Sequence, residues 1–95
     1  MVEYMLLKYG LNYMPASLNI IAKRIGISET DKNLDILRSE LEKLVKKKKA
    51  FRSGNRFAID AEGAKTVFSY SQATPDQLPT PKDFRKAFRE FTRQS

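Results

Sequence analysis

The sequence predicts a small, mainly α-helical domain with one β-hairpin, an α+β fold in the order helix, helix, helix, strand, strand, helix. Three observations predict this class. Apolar residues recur at helical spacing in three successive segments of the N-terminal half. A Gly-Asn turn then joins two short strand-like runs, and helical spacing returns after them. The 95 residues include six Phe and four Tyr, which suits one compact core rather than two domains.

The residue types that are missing exclude several classes of function. Cys and His are both absent, so the chain has no disulfide framework, no zinc site of Cys or His ligands and no thiol or imidazole for catalysis. A run of about 18 apolar residues, which a membrane span needs, is absent, and the N-terminus lacks the features of a signal peptide. We therefore expect a cytoplasmic protein that is not an enzyme and that binds no cofactor and no metal ion.

The first two helices are defined by their apolar stripes and by the residues that end them. A helix over 2–13 has an apolar face made of Val2, Met5, Leu6 and Tyr9. Gly10 or Asn12 ends it. Ser17 is the predicted N-cap of the second helix. The buried stripe of this helix consists of Leu18, Ile21, Ala22 and Ile25.

The third helix is the longest and carries most of the candidate functional residues. Its apolar residues repeat at intervals of three and four and are Leu34, Leu37, Leu41, Leu44 and Val45. Ser28, Thr30 and Asp31 are the candidate N-caps. The lysine run 46–49 ends the helix, at a place where cations are favoured.

A hairpin and a fourth helix follow. Strands over 50–52 and 56–59 flank a turn at 53–55, where Gly and Asn accept a positive φ at low cost. The residues expected to face the core are Phe51, Phe57 and Ile59. Asp60 caps a fourth helix that extends to about Tyr70. Its inward-facing residues are expected to be Ala64, Val67 and Phe68.

The last part of the chain reads as a linker and a short amphipathic helix. Residues 71–81 hold three of the four prolines and form the predicted linker between a domain over 1–70 and a helix over 82–95. Thr80 is the expected N-cap, with Pro81 at the first helical position. The apolar stripe of this helix consists of Phe84, Ala87, Phe88 and Phe91.

The net charge of +7 is concentrated in two segments. Residues 1–31 are neutral, residues 32–56 carry +6, residues 57–83 carry −2 and residues 84–95 carry +3. Localised basic charge is typical of a protein that binds a polyanion, although a solvated, lysine-rich helix end that only confers solubility is the alternative.

Two motifs are similar to those of winged helix-turn-helix regulators. The segment IAKRIGIS (21–28) resembles the IA-x-x-(I/L)-G-(I/L)-S core of such proteins, and FAIDAEGAK (57–65) resembles Y-x-(I/L)-T-x-x-G-(R/K), in which the second wing strand runs into the next helix. The chain therefore resembles small winged-helix regulators of the MarR and PadR type over roughly residues 2–70. The resemblance implies that Ala22 lets the two helices approach and that Gly26 makes the tight turn. Because the best-matched leucines start ten residues beyond Ile27, residues 29–35 form either a longer turn or an extra helical turn.

This resemblance and the charge pattern together predict a sequence-specific double-stranded DNA-binding protein, most simply a transcriptional regulator that acts as a homodimer and associates with the nucleoid. An α-helix fits the major groove, where Arg38 can bond guanine and Asn33 can bond adenine. The expected recognition-helix contacts are Lys32, Asn33, Arg38, Ser39, Lys43, Lys46 and Lys47. The expected wing contacts are Lys48, Lys49, Arg52, Ser53, Asn55 and Arg56.

Other interpretations stay open from the sequence alone. Arg38 is also placed for an intrahelical pair with Glu42, and Arg52 and Arg56 for cross-strand surface charges. The domain could instead be a DNA-binding adaptor in partition or replication whose C-terminal segment recruits a second protein, or a winged-helix module that binds protein or RNA. Asp60 and Glu62 resemble part of a nuclease cluster only faintly, and a helix cap accounts for Asp60 better.

The phenylalanine stripe of the C-terminal helix has three possible partners. Burying each side chain is worth roughly 1.5–3 kcal/mol, so the stripe is expected to be covered. It packs on its own domain, on a second subunit or on a foreign protein. The dimer is the preferred alternative, with Phe84, Phe88 and Phe91 at the interface.

Overall fold

Helices and a small sheet make up the described part of the chain. The computed structural model describes residues 2–73, 80, 82–83, 85–86 and 88–89. These residues are mainly helical, with a three-stranded antiparallel sheet, so the α+β prediction is confirmed. The elements are α1 (Val2–Met5), which continues as a π-helical segment (Leu6–Gly10), β1 (Ala16–Ser17), α2 (Leu18–Ile25), α3 (Asp31–Lys46), β2 (Ala50–Ser53), β3 (Arg56–Ile59) and α4 (Ala61–Ala73). Within these ranges no helix has the length and apolar character that crossing a membrane requires.

A short strand that the predicted order lacks pairs with the hairpin. β1 runs antiparallel to β3, with Ala16 opposite Phe57 and Ser17 opposite Arg56, and the strand order is β1-β3-β2. Two residues are too few to give an alternating pattern, so the sequence holds no signal for this strand. The extended backbone that Ser17 needs as a helix N-cap (φ −71°, ψ 163°) also lets it pair with β3.

The first helix ends at Gly10, so its predicted range of 2–13 is three residues too long, although Gly10 is one of the two residues predicted to end it. Its last turn is π-helical, and the N–H of Leu11 donates to the carbonyl of Leu6 at 2.9 Å. The guanidinium of Arg24 donates to the carbonyl of Gly10 at 3.1 Å. A Cβ on Gly10 would lie 3.1 Å from Cγ2 of Ile21. The glycine therefore lets α2 pack directly against this helix end.

α2 and α3 each begin at a capping side chain, as the sequence predicts. The hydroxyl of Ser17 accepts from the N–H of Ile20 at 3.4 Å, and the hydroxyl of Thr30 accepts from the N–H of Asn33 at 3.2 Å. The buried members of the two predicted stripes are Leu18, Ile21, Ala22, Ile25, Leu37, Leu41 and Leu44. Because 31–35 is helical, the extra length before the buried leucines is an additional helical turn and not a longer loop.

The tight turn after α2 depends on Gly26. Its φ of 76° lies in the left-handed region, which a residue without a Cβ adopts at little cost. The N–H of Gly26 donates to the carbonyl of Lys23 at 3.2 Å, and the N–H of Ile27 donates to that of Ala22 at 3.0 Å. These bonds satisfy the last carbonyls of α2, as in a Schellman motif.

The register of the hairpin corrects one of its three predicted core residues. Arg52 lies opposite Phe57, and Phe51 lies opposite Ala58. Directly opposite residues of antiparallel strands share a face, so Phe51 and Phe57 lie on different faces of the sheet. Phe57 is buried and Ile59 is half-buried, but Phe51 is 54% exposed. The prediction that Phe51 faces the core is therefore wrong.

α4 begins as predicted but extends further and turns a different face inward. The carboxylate of Asp60 accepts from the N–H of Ala61 at 2.7 Å. The helix continues to Ala73, into the segment that the sequence assigns to the linker. Val67 packs against the core. Phe68 lies about 100° round the helix from Val67 and is 66% exposed, so its predicted inward position is wrong.

Gly63 allows α4 to approach the junction between α3 and β2. A Cβ on Gly63 would run into the carbonyl oxygen of Lys49 and would lie 3.0 Å from the side chains of Ile59 and Leu7. The same carbonyl accepts from the N–H of Asp60 at 3.0 Å. A close backbone approach therefore explains why a poor helix former stands in the first turn of α4.

The C-terminal segment returns to the core of its own chain. The hydroxyl of Thr80 accepts from the N–H of Asp83 at 3.3 Å, and the carboxylate of Asp83 accepts from the N–H of Thr80 at 2.8 Å, so Thr80 is a cap as predicted. Phe88 is 2% exposed and belongs to the same core cluster as the helices above. This burial corrects the expectation that Phe88 contacts a second subunit. Phe84 and Phe91 lie outside the described residues.

Replacing Gly63 with Ala is expected to destabilise the fold by about 1–3 kcal/mol, because the added methyl group overpacks a filled site against a backbone carbonyl. Urea or thermal unfolding measures the change. The control is Ser69→Ala, at an exposed position of the same helix, which should shift the free energy of unfolding by less than about 0.5 kcal/mol. Equal stability of Gly63→Ala and the unmodified protein would contradict the close approach.

Candidate nucleic-acid interface

The candidate interface begins with the solvent-facing side of α3. Opposite the buried leucines, this side exposes Lys32, Asp35, Ser39, Lys43 and Lys46. These positions are spaced three or four residues apart, so they share one face of the helix. The 16 residues of α3 span about 24 Å at 1.5 Å per residue. That length is enough to cross a major groove, which is about 12 Å wide.

The net positive charge lies beyond the end of α3, because the charges on the helix itself cancel. Residues 31–46 contain four basic and four acidic side chains, whereas residues 47–56 contain five basic and no acidic ones. The +6 segment of the sequence therefore divides into a helix that is nearly neutral and a turn and hairpin that are strongly basic. We call the residues 47–56 the basic hairpin region.

Two lysines of this region form ion pairs with the first helix. The ammonium of Lys49 lies 3.0 Å from the carboxylate of Glu3, and that of Lys47 lies 3.6 Å from it. Partial burial of Glu3 opposes its charged form, but the hydrogen bond and charge of Lys49 and the charge of Lys47 outweigh this and lower the pKa of Glu3 below its ordinary value of 4.5. The side chain of Lys49 is only 25% exposed. Lys49, a predicted wing contact, is therefore part of the scaffold.

Lys48 has a backbone conformation that usually belongs to glycine. Its φ is 61°, and it is the one non-glycine residue with a positive φ among the residues that the structure describes. The N–H of Lys48 donates to the carbonyl of Val45 at 3.0 Å, and that of Lys49 donates to the carbonyl of Leu44 at 2.9 Å. These are the two bonds of a Schellman motif, and the same motif at the end of α2 has Gly26 in this place. A side chain here costs about 1–2 kcal/mol of backbone strain.

Arg52 ties the hairpin to α3. Its Nη1 lies 3.1 Å from the carboxylate of Glu42, its Nε donates to the carbonyl of Gly54 at 2.8 Å, and its guanidinium carbon lies 5.9 Å from the centre of the Phe57 ring. The Glu42 contact places the hairpin alongside the C-terminal half of α3. Arg52, a predicted wing contact, is engaged within the protein, and Glu42 pairs with it and not with Arg38.

The tip of the hairpin exposes the remaining predicted wing residues. Gly54 has a φ of 61°, and a Cβ there would meet nothing within 4 Å. Ser53, Asn55 and Arg56 are all exposed. Arg56 lies opposite Ser53, on the face of the hairpin that also carries the exposed Phe51. This face therefore combines a cation with an aromatic ring.

The predicted base contacts of α3 differ in whether their side chains already have partners within the protein. Arg38 and Ser39 are exposed, and Arg38 makes no ion pair within the described part of the chain. Lys43 pairs with Glu40 at 3.1 Å and keeps most of its side chain in solvent. The side-chain amide of Asn33 donates to the carbonyl of Ser28 at 3.0 Å, so Asn33 ties the first turn of α3 to the residues that precede the helix.

A second basic region, which the sequence does not connect with the first, lies near the other end of α3. Arg85 packs across the turn between α2 and α3, where a Cβ on Gly26 would lie 2.9 Å from its Cδ. Arg85 and Arg89 line a cavity together with Ser28 and Asn33. The burial of Phe88 brings these arginines back to the domain. The apolar stripe that includes Phe88 predicts from the sequence that this side chain is covered. The stripe does not predict which surface covers it.

An apolar groove of about 400 Å³ lies between the end of the first helix and α4. Its lining includes Leu7, Leu11, Tyr13, Ile59, Val67 and Phe68. Tyr13 is 78% exposed and Phe68 is 66% exposed. The groove is therefore an apolar surface with exposed aromatic side chains at its rim.

The described residues offer no metal site, and comparisons give no relative from which to transfer a role. Within the described ranges, no group of three or more His, Cys, Asp or Glu side chains is placed to hold a metal ion. Comparison with protein families, curated proteins and solved structures finds no match.

Replacing Lys48 with Gly is expected to stabilise the protein by about 1 kcal/mol, because glycine relieves the left-handed strain. The same substitution at Lys46, which is helical, is expected to destabilise it by about 0.5–1 kcal/mol, so the two changes have opposite signs. Urea unfolding of both variants measures the difference. A destabilised Lys48→Gly variant would contradict the left-handed assignment.

Replacing Glu3 with Gln is expected to lower the free energy of unfolding at pH 7 by about 0.5–1 kcal/mol, a value that allows for solvent screening of the partly exposed pair. Because the pKa of Glu3 is lowered in the folded state, its contribution is present above the unfolded pKa and is lost as the pH falls through the folded one. The stability difference between the two proteins should therefore vanish in acid. The control is Asp35→Asn, which neutralises an exposed carboxylate of α3. An effect of Glu3→Gln on stability that does not change with pH would contradict the ion pairs.

Proposed function

We propose that this protein is a sequence-specific double-stranded DNA-binding protein with winged helix-turn-helix architecture, most simply a small transcriptional regulator. In this proposal α2, the Gly26 turn and α3 are the helix-turn-helix, α3 is the recognition helix and β2–β3 is the wing. The observation that carries it is the basic hairpin region lying beside an exposed helix that is long enough to cross a major groove. A helix in the groove with a hairpin on the flanking backbone is a known way to read duplex DNA.

The conformation of Lys48 supports a polyanionic ligand. A lysine stands where glycine would relieve strain, and strained residues tend to persist where function requires them. An ammonium group at that place adds affinity for a phosphate without reading sequence. Lys48 and Arg56 are therefore our proposed phosphate contacts, and Arg38 and Ser39 are our proposed base contacts.

A homodimer is part of the proposal, because two copies related by a two-fold axis would bind two half-sites. Phe88 is buried in its own chain, so it is no longer our candidate for the dimer contact. We assign that contact to the apolar groove, with Phe68 at its rim. The adaptor alternative, in which the C-terminal segment recruits a foreign protein, loses support for the same reason.

The charge of α3 favours a second candidate function. This helix carries as many acidic as basic side chains, and Asp35 lies on its solvent-facing side together with the basic residues. A helix that lies between DNA phosphates is usually basic. A face of mixed charge is better suited to contact with another protein. The second candidate is a winged-helix module that uses α3 to bind a protein.

The proposed DNA binding is tested by selection from random duplexes at two salt concentrations, followed by titration of the selected duplex with variants. Lys48→Gly and Arg56→Ala are each expected to weaken selected and random duplexes equally and to reduce the slope of log affinity against log salt by about one. Arg38→Ala is expected to weaken the selected duplex by about 1–3 kcal/mol and to leave random duplexes nearly unchanged.

The matched control is Lys65→Ala, which removes one positive charge from α4, where Lys65 pairs with Glu62 at 3.3 Å. Its affinity for duplex should stay close to that of the unmodified protein. Equal affinity for every duplex would reject sequence-specific binding. Duplex binding that none of the three interface variants changes would reject this surface. A chain that binds no duplex at all would leave the second candidate as the better explanation.

A further inference from the structure

We propose that the hairpin binds an unpaired nucleotide of single-stranded DNA, with the base stacked on the Phe51 ring and the phosphate on the Arg56 guanidinium. The residues of this site form what we call the outer face of the hairpin and are Phe51, Ser53, Arg56 and Ala58. The site depends on the hairpin alone. Only its use beside a bound duplex rests on the proposed function.

The register of the hairpin places the ring and the cation next to each other. Phe51 lies opposite Ala58, and Ser53 lies opposite Arg56. Side chains two residues apart on a strand point to the same side of the sheet, so Arg56 is the diagonal neighbour of Phe51. Diagonal neighbours are about 7–8 Å apart, which is within reach of an aromatic ring and a long side chain. The guanidinium can therefore hold a phosphate while the ring contacts the base of the same nucleotide.

The ring of Phe51 is open to solvent. Phe51 is 54% exposed, whereas Phe57, on the other side of the sheet, is 2% exposed and fills the core. Because Ala58 is small, the Phe51 ring has no bulky side chain directly opposite it. Contact between water and so large an apolar surface is unfavourable, and a base stacked on the ring would remove it.

The charge of the hairpin determines the chemistry of the ligand. The basic hairpin region has five basic and no acidic side chains. The nearby carboxylate of Glu42 is held at 3.1 Å by Arg52, whose side chain points away from the outer face. Arg56 is exposed and has no ion pair within the described ranges. A fitting ligand has a flat apolar surface and a negative charge, and aromatic rings in basic surroundings bind single-stranded nucleic acid in this way.

The distance of Phe51 from the hairpin tip favours an unpaired base over an intact duplex. A side chain that wedges between paired bases has to enter the minor groove, which is about 7.5 Å deep. Phe51 lies three residues before Gly54, a distance of about 10 Å at the rise of a strand. A hairpin that enters the groove with its tip first leaves the ring outside. There the ring can stack only on a base that has left its partner.

Fluorescence of the Phe51→Trp variant tests the stacking. The sequence contains no Trp, so this change gives the protein a single indole, at the site. An oligothymidylate of about ten nucleotides should quench its emission saturably. An abasic oligodeoxyribose phosphate of equal length has the same charge but no bases and should leave the emission nearly unchanged. The control is Phe68→Trp, at a position that is 66% exposed on α4, and neither oligomer should quench it.

The affinity for the two oligomers separates the base contact from the phosphate contact. Phe51→Ala should weaken oligothymidylate binding about fivefold or more, as loss of one stacked base implies, and should leave abasic binding unchanged. Phe68→Ala is the matched control and should change neither affinity. Arg56→Ala should weaken both oligomers equally, because it removes a phosphate contact. Equal quenching by the two oligomers, or an oligothymidylate affinity that Phe51→Ala leaves unchanged, would overturn the proposal.

A comparison of the selected duplex with and without single-stranded extensions separates this site from the proposed function. Phe51→Ala should weaken binding of the extended duplex and leave the blunt duplex unchanged. Quenching of the indole at position 51 by the blunt duplex as strong as that by oligothymidylate would overturn the assignment to an unpaired base. A chain that binds duplex but shows no quenching would overturn the site and leave the proposed function intact. Base-dependent quenching in a chain that binds no duplex would support the site and reject the proposed function.

Discussion

Four parts of the chain meet at Lys49, and the joints between them depend on its backbone. Its N–H closes the end of α3 on the carbonyl of Leu44, and its carbonyl accepts from the N–H of Asp60 at the start of α4. Gly63 packs over that carbonyl, and the ammonium of Lys49 reaches Glu3 in the first helix. β2 leaves from the next residue. A buried backbone group left unpaired costs about 1–3 kcal/mol, so the hydrogen bonds at this junction strongly favour one way of joining helix, hairpin and helix.

The four consecutive lysines illustrate what a charge pattern can and cannot predict. All four read alike in the sequence, as a solvated helix end or as phosphate contacts. In the structure Lys46 is helical and exposed, Lys47 pairs with Glu3, Lys48 takes a left-handed backbone and Lys49 forms the junction. Each role is set by where α3 ends and by what packs against that end. Composition sets the total charge of the segment. The tertiary fold decides the position and the partner of each lysine.

Features with a local cause were predicted from the sequence, and features with a tertiary cause were not. Ser17 and Thr30 cap helices because their side chains bond to N–H groups three residues away, and a local pattern contains that information. The sequence predicts the wrong face for Phe51, because the orientation of this residue follows from a hairpin register that the sequence leaves open by one residue. The sequence predicts that Phe88 is covered but not by what, because the core residues that it packs with lie far away in the chain. The contact between Arg85 and Gly26 also joins distant parts of the chain. For that reason no local sequence pattern predicts it.

Phe88 leaves the ribosome after every other described residue of the core. Domains generally fold as units while synthesis proceeds, yet here the unit stays incomplete until this side chain arrives. Burying one phenylalanine is worth about 1.5–3 kcal/mol, a large share of the 5–15 kcal/mol that is typical for a whole domain. A nascent chain that stops after α4 therefore has an unfilled apolar site and a weaker native state. The core of the described residues is therefore filled only once Phe88 has left the ribosome and packed against it.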